Sequence, residues 1–473
     1  MKEKTYEDLK YDFDCIADMI SEAIAGSNYY KAACISKFLS NALYTLNYTY
    51  RMDVLEENIC KIGKGCVGSI DINKPDENRV LFYDGFGLFN RGIATIYIDA
   101  LLKIGYDVTW IIYGAMPEIH EIINKYQGKV CFRYIPCRYV NIMDRIIMLA
   151  DFIKEEKPKH LFLYTYPDDV VGVSVFSVIK GNAIRYLINL TDHAFWIGRD
   201  AVDLVIEFRD FGANISVKNR GVRKDEIRML PFYPAKRSQY SYEGMPFPED
   251  REYFFSGGTL YKVKGSGIFF EMVRDILNKY EELYFVYAGK DSCKDEDFIK
   301  LKKDYFGRVY LIEERRDLDE VMKHAKFYLN TFPVGGGLMT QYALLNNCLP
   351  LCLYEDEDSN PKQMLLHPED VDFGFESQQD LIDYVDFIMK SNIKKNLSKH
   401  VITKDQFINR LSNIIKNNSS TEYVDFEINI DMIRKKYRNN YTYFNYLNMV
   451  KKSGNPWIIE KYKNDLKEYR INM

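Results

Sequence analysis

The sequence predicts an α/β protein of two Rossmann-like, doubly wound domains behind a helical N-terminal appendage. Three observations predict it. From Val80 onward, short apolar runs of strand length alternate with amphipathic stretches of helix length, the pattern of a parallel sheet covered on both faces. A Pro-, Ser- and charge-rich stretch, AKRSQYSYEGMPFPEDRE, interrupts that alternation at residues 235–252, after which it begins afresh. With 473 residues, the chain also exceeds the size at which one core keeps growing, so two cores are expected.

Residues 1–75 read as helices, because CIADMISEAIAG and YYKAACISKFLSNALYTLNY carry apolar residues at three- and four-residue intervals. DINKPDENRV (71–80) breaks the pattern with Pro, Asn and charge, and a boundary is expected there. The first Rossmann-like domain, 76–236, opens with the strand VLFYDG. The helix RGIATIYIDALLKIG follows, placing Ile93, Ile96, Tyr97, Ala100, Leu101 and Ile104 on one face and stopping at Gly105. DVTWIIYG, VCFRYIP, HLFLYTYP, AIRYLINLT, DLVIEF and EIRMLPFYP continue the strands, with a helix at IMDRIIMLADFIKEE. In YPDDVV, Asp168 or Asp169 is expected to cap a helix. A linker is expected over 237–252. The second domain, 253–398, runs through YFFSGG, the helix GIFFEMVRDILNKY, LYFVYAG, RVYLI, LDEVMKHA, KFYLNTF and LPLCLY. Residues 399–473 read as helices, two of them amphipathic, at FINRLSNIIKN and WIIEKYKNDLKEY.

Composition excludes several classes. The 64 Lys and Arg against 68 Asp and Glu leave a formal charge of -4, so no nucleic-acid partner is expected. The 9 cysteines (15, 34, 60, 66, 131, 137, 293, 348 and 352) form no Cys-x-x-Cys pair and read as buried thiols. Together with an N-terminus, MKEKTYEDLKYDFD, that lacks an apolar core, they point to a reducing cytoplasm. No stretch approaches the ~18 to 20 apolar residues of a membrane span. The 6 histidines show no metal-ligand spacing. The Asp-x-Asp triplets (Asp12/Asp14, Asp317/Asp319, Asp356/Asp358, Asp370/Asp372) fall on apparent helices and loops, and read as solvated faces. No metal and no resident cofactor are expected.

LNTFPVGGGLMTQYALLNNCLPLCL (329–353) sets Gly335, Gly336 and Gly337 side by side between an apolar run and a helix. A tight turn is the plain reading. The position suggests more: the run follows a strand and opens a helix at the carboxyl edge of the second sheet, where unsatisfied N–H groups without a Cβ in the way suit a phosphate. Thr340 and Gln341 are the polar groups of that helix start. FFSGGTLYKVKGSG (254–267) ends another strand in Gly257 and Gly258 and brings Lys262 and Lys264 to the same edge. A flexible ammonium there neutralises a diphosphate. Lys264 reads as a solvated surface charge.

These segments, in this order, resemble the two-Rossmann GT-B glycosyltransferases, most closely the O-linked N-acetylglucosamine transferase group and the related bacterial adhesin-glycosylating enzymes. GGTLYKV resembles that group's strand-loop element ending in Leu-Tyr-Lys, whose lysine contacts the donor diphosphate; it falls on Lys262, with Gly257, Gly258 and Thr259 leading into it. LDEVMKHAKFYLNTFPVGGGLMTQYALLNNCLPLCL is similar to the group's segment from a short helix through Asp-Thr-Phe-Pro and a small-residue loop. AFWIGRDAVDLVIEFRDFG with VRKDEIRMLPFYP resembles its passage into the second domain. The resemblance spans residues 80–355. It implies a nucleotide-sugar donor, a UDP-sugar by preference, a hydroxyl acceptor on a protein or glycan, and no metal. Two departures stand out: Ala343 occupies the place of a ribose-binding carboxylate, and Leu338 and Met339 replace His and Thr. In GT-B enzymes the last helices cross back onto the first domain, as Trp457 to Tyr469 is expected to do. The rival reading of the basic tail is peripheral contact with an anionic membrane.

Such a transferase needs a neutralised leaving group, an excluded-water site and, for inversion, a base. LINLTDHAFWIG ends a strand of the first domain and offers His193 with Asp192 as base and Trp196 as an aromatic wall for the acceptor. The alternative has His193 at a strand end and Trp196 in the core. YDGFGLFNRGIAT offers Asp84 as rival base and Asn90, Arg91 and Gly92 toward the acceptor. The expectation is therefore a cytoplasmic, metal-independent glycosyltransferase. The alternatives are a catalytically silent GT-B subunit that assists a partner glycosyltransferase and a sugar-nucleotide epimerase of the same fold.

Overall fold

In the computed structural model of the chain, the described residues are 4–87, 91–114, 119–235, 240–265, 267–313, 315–365, 373–390 and 396–469. The chain divides into two compact units: Met1–Leu230 with Ile408–Met473, and Pro231–Phe407.

The first unit opens with helices α1 (Leu9–Ala25), α2 (Tyr29–Leu46) and α3 (Asp53–Val67). Asn28 caps α2, its side chain accepting from the Lys31 N–H at 3.0 Å. The apolar spacing turns Leu9, Phe13, Ile16 and Ile20 inward on α1. Those side chains share one core with Leu81, Ile111, Leu161 and Leu163 of the sheet. The N-terminal helices are thus part of this unit's body, because their apolar faces are buried in the same core as the sheet.

The strands of this unit are β1 (Ile70–Ile72), β2 (Asp76–Asp84), β3 (Asp107–Gly114), β4 (Val130–Pro136), β5 (Pro158–Tyr164), β6 (Ile179–Gly181), β7 (Ile184–Ile188), β8 (Leu204–Glu207) and β9 (Ile227–Met229). Seven form a parallel sheet in the order β4-β3-β2-β5-β7-β8-β9, and β1 pairs with β6 beside it. Leu81 stands opposite Thr109 on one side and Leu161 on the other. The helices between strands are α4 (Arg91–Ile104), α5 (Ile119–Tyr126), α6 (Ile142–Glu156), α7 (Val170–Phe176) and α8 (Asp210–Asn219). Gly105 ends α4 at a φ of 105, which only glycine takes without strain.

The second unit holds β10 (Tyr253–Gly257), β11 (Tyr284–Ala288), β12 (Val309–Ile312), β13 (Tyr328–Leu329), β14 (Pro350–Leu353) and β15 (Gly374–Phe375), in the parallel order β12-β11-β10-β13-β14-β15. Its helices are α9 (Ile268–Lys279), α10 (Glu296–Asp304), α11 (Leu318–His324), α12 (Gly337–Leu345) and α13 (Gln378–Lys390). In both sheets the first strand of the main series lies centrally, with the second and third to one side and the fourth onward to the other. That is the Rossmann order, and it creates a switch point between β2 and β5 and another between β10 and β13.

Residues 231–252 fall in the second unit. The stretch expected as a linker is tied down there: Tyr342 Oη donates to the Ala235 carbonyl at 2.9 Å, and the Glu243 N–H to Asp317 at 2.8 Å. α14 (Lys404–Asn417) leads into the part of the first unit carrying α15 (Ile430–Asn439), α16 (Tyr443–Lys452), α17 (Pro456–Lys461) and α18 (Lys463–Glu468). Ile458, Tyr462 and Leu466 are buried in the core shared with α1 and α2, and Asn455 donates to the Cys34 carbonyl at 2.9 Å.

Two expectations from the sequence fail here. Asp12, Asp317 and Asp319 are buried, not solvated: Lys4 meets Asp12 at 2.8 Å, Arg315 grips Asp317, and Asn346 donates to Asp319 at 3.1 Å. Cys131 and Cys293 are exposed, the first because it lies on the edge strand β4, the second in a short turn. No helix among the described residues is long and apolar enough to cross a membrane.

Candidate functional site

The second unit's switch point is assembled by two glycine-bearing turns. β10 pairs with β13 through Phe255 and Tyr328, and the chain leaves the two strands in different directions. After β10 it passes Gly258, at a φ of 153, into a single 3-10 turn, Leu260–Lys262. After β13 it passes Asn330 to Gly336 and enters α12. The Asn330 side-chain oxygen fixes this loop, accepting from the Thr331 N–H at 3.0 Å, the Gly336 N–H at 2.9 Å and the Tyr328 hydroxyl at 3.1 Å. Thr331 Oγ1 donates to the Val334 carbonyl at 2.8 Å. The loop is thereby shaped without any bulk at Gly335 or Gly336.

Lys262 belongs to both turns. Its carbonyl accepts from the Val334 N–H at 3.2 Å, and its Nζ lies 3.5 Å from the Gly335 carbonyl oxygen. The side chain is half-buried, and burial lowers its pKa. Among the described residues no carboxylate pairs with it. A desolvated ammonium is costly unless an anion compensates it, and the site holds the first N–H groups of α12 close by, which attract negative charge as well. The arrangement is thus a partly desolvated ammonium beside a glycine-rich helix start, a setting that would favour an anion.

The other donor-side expectations divide. Gly257 ends β10 in the interior, and Thr259 is exposed beside the turn. Thr340 and Gln341 turn inward, against expectation: Thr340 Oγ1 donates to the Gly336 carbonyl at 3.1 Å, and Gln341 Nε2 to the Phe232 carbonyl at 3.3 Å. α12 is apolar nearly all round, so both sides of its polar positions face protein. Ala343 is buried in the core, and no carboxylate on α12 is available to hold a ribose. Lys264 is an exposed surface charge, as expected, and pairs with Asp295.

At the first unit's switch point the described residues pack closely around Gly85. Asp84 ends β2 fully buried, which removes it as a base acting on a substrate. A Cβ on Gly85 would stand 2.2 Å from Thr165 Oγ1 and 2.7 Å from Asp169 Oδ2. Asp169 itself caps α7, accepting from the Gly172 N–H at 3.0 Å and from the Tyr83 hydroxyl at 2.8 Å. Asn90 lies outside the described residues; Arg91 begins α4, and Gly92 beside it is exposed.

The loop after β7 carries the remaining candidates. Asp192 is buried, and burial alone would raise its carboxyl; the Arg209 guanidinium, 2.8 Å away at Nη2, instead holds it well below the usual range. His193 Nδ1 stands 3.7 Å from Asp192 Oδ1 with its side chain 39% exposed, so it is the one base candidate here that reaches solvent. Trp196 is buried against the Arg220 guanidinium at 5.1 Å, and the aromatic wall expected for an acceptor is a core residue. Arg220, also buried, donates to the carbonyls of Asp192 at 2.7 Å and Ala194 at 2.6 Å. Two buried carboxylates complete the scaffold. Burial pushes Glu56 up to about 7 even though it accepts from the Gly198 N–H at 2.9 Å. Burial likewise pushes Glu207 up to about 7, with Asn189 donating to it at 2.9 Å. The sequence does not single out Arg209 or Arg220, because the end of the domain carries four arginines (209, 220, 223 and 228) with no pattern that separates these two.

Among the described residues, no cluster of three or more His, Cys, Asp or Glu could hold a metal ion. No protein-family profile and no curated protein matches the sequence. Solved structures do resemble it. A glycosyltransferase from Rickettsia africae ESF-5 superimposes with a TM-score of 0.50 at 10% identity, covering 77% of this chain and 98% of that one. A putative UDP-N-acetylglucosamine 2-epimerase from Listeria monocytogenes gives 0.50 at 11% identity, covering 74% and 100%. A Thermobaculum terrenum O-GlcNAc transferase mutant covers 90% of this chain and 84% of its own, at 0.47 and 10% identity. The first two likenesses agree with the strand orders above and establish the fold as two Rossmann-like units of the GT-B type.

Proposed function

We propose that the protein is a glycosyltransferase that moves a sugar from a nucleotide-diphosphate donor, by preference a UDP-sugar, to a hydroxyl acceptor without a metal ion. One observation carries the reading: Lys262, half-buried at the switch point of the second sheet, has no carboxylate partner among the described residues and lies beside the glycine loop that opens α12. As the acceptor oxygen bonds to the sugar's anomeric carbon, the bond from that carbon to the diphosphate breaks. Lys262 and the N–H groups of α12 take up the charge left on the phosphate. The acceptor's proton needs a base, for which His193 is the exposed candidate. Proteins of this fold include a glycosyltransferase and a putative UDP-N-acetylglucosamine 2-epimerase, in keeping with a nucleotide-sugar ligand.

Calorimetric titration with UDP and GDP, with and without magnesium, tests the donor half. Micromolar binding of one nucleotide, indifferent to magnesium and weakened roughly ten- to a hundredfold by Lys262→Ala, supports it. UDP release from a UDP-sugar that appears only when an acceptor is added separates a transferase from an epimerase. A second reading, a silent subunit assisting a partner glycosyltransferase, is favoured by the burial of Asp84, the Arg209-bound state of Asp192 and the missing carboxylate at Ala343. Nucleotide binding without turnover by any acceptor would support that reading.

A further inference from the structure

The first unit contains a cavity of about 1010 Å3 that neither the donor site nor the base candidates use. Four pieces of chain wall it: α2, the segment leading into α6, the loop after β5, and α16 with the start of α17. Two of those pieces follow β4 and β5, so the cavity opens at the carboxyl edge of the sheet, where α/β proteins bind ligands. Its size suits a ligand of several rings.

The lining chemistry narrows the ligand. Asn445 and Asn448 project from one face of α16, and their side-chain amides make no hydrogen bond among the described residues. Across from them stand Lys37 of α2 and the Asp168 carboxyl, which Asn41 contacts and which burial raises above its usual range while Lys37 opposes the rise. Arg145 also lines the cavity, but its guanidinium is committed to the Cys137 carbonyl at 2.6 Å and the Tyr113 hydroxyl at 3.0 Å. Trp457 and Tyr30 meet edge to face at 6.0 Å, both partly accessible.

Amides, an ammonium and a carboxylate together both donate and accept, which matches groups that do the same, namely hydroxyls. Lys452 also lines the cavity, so with Lys37 and Arg145 the cations outnumber Asp168, and the lining would also accept a saccharide that carries an acidic group; an acyl chain would leave these polar groups unpaired. The aromatic pair supplies flat apolar surface for the C–H faces of rings. We infer that this cavity binds an oligosaccharide, with Trp457 and Tyr30 against ring faces and Asn445, Asn448, Lys37 and Asp168 bonding hydroxyls. The site stands on the first unit alone. Joined to the donor reading it makes the acceptor a glycan, and that last step, and only it, rests on that reading.

The test uses the full chain on an array of defined oligosaccharides that includes chitotriose, maltotriose and sialyllactose, with hits confirmed by saturation-transfer NMR. At least one saccharide should bind, and Asp168→Asn and Asn448→Arg should each weaken it roughly tenfold or more. Asn448 is only partly buried, so that variant keeps its fold even where Asp168→Asn does not. Lys262→Ala should bind the saccharide like the parent, which separates this site from the nucleotide site. No saccharide binding by the folded protein at millimolar concentration, binding unchanged in Asn448→Arg, or retention of extended polypeptides in place of glycans would each overturn the inference.

Discussion

The two sheets share one strand order, yet the described residues at their switch points differ in packing and charge. Between β2 and β5 the space is closed: Thr165 and Asp169 crowd Gly85, Asp169 is spent on capping α7, and Asp84 is buried. Between β10 and β13 the nearest atoms to a Cβ on Gly258 are Lys262 Cδ at 3.5 Å and Thr331 Cγ2 at 3.7 Å, ordinary contacts. The charges differ in the same sense. In the first unit the buried acid Asp192 is answered by Arg209, whereas in the second the half-buried Lys262 has no acid partner among the described residues. A desolvated charge with its partner in the chain is architecture, and one without a partner is the position at which the proposed donor site is to be tested.

The comparison is most sharply tested at Asp192. Asp192→Ala leaves Arg209 buried without its acid and should cost about 3–5 kcal/mol of unfolding free energy, measured by denaturant titration. A loss well under 1 kcal/mol would mean the pair is not structural. Next is pH. Glu56 and Glu207 titrate near 7 in the folded chain against about 4.5 when unfolded, so between those values the folded state holds protons the unfolded state has released. Stability should therefore fall as pH rises from about 4.5 to 7 and level off above, by up to ~3 kcal/mol for each group. Glu56→Gln should flatten part of that slope in denaturation curves recorded across the window. Asp192 acts oppositely, losing its contribution as pH falls below the usual carboxylate range.

Lys262→Ala reverses the Asp192 pattern: UDP affinity should drop by about 1.5–3 kcal/mol while folding stability holds or rises, since a desolvated charge is removed. A variant that unfolds but binds normally when folded would make Lys262 structural too. Smallest is Thr340→Ala, which removes the bond to the Gly336 carbonyl and should cost about 1 kcal/mol of stability. Nucleotide affinity should not move, because Thr340 faces the interior.

The strands and most helices were legible because their signals are local. The face of α4 and its stop at Gly105, the span of α9, and the turn at Gly335 to Gly337 follow from apolar spacing and backbone freedom alone. Partnership was not legible. Arg209 lies 17 positions from Asp192 in sequence, and only the pairing of β7 with β8 brings the loops that carry them together. Trp196 could face a sugar or a core with equal warrant until Arg220 was seen beneath it. Thr340 and Gln341 misled because a nine-residue helix that is apolar nearly all round has no polar face to follow. The neighbourhood of Lys262 was legible as local structure: two glycines, a strand end and a lysine in one short stretch, which the structure folds into β10 and a 3-10 turn.

The division of the chain has a consequence for how the protein is made. The first unit is written in two instalments, Met1–Leu230 and Ile408–Met473, with the whole second unit between them. Because synthesis runs from the N-terminus, the second unit can emerge and fold while the first still lacks its closing helices. The Trp457 wall of the cavity arrives last of all. A chain stopped after residue 407 would hold the whole second unit but leave apolar faces of α1 and α2 without the helices that share their core. Such a product should be prone to aggregation, so a chain cut there would be recovered in poorer yield than one that carries α15 to α18.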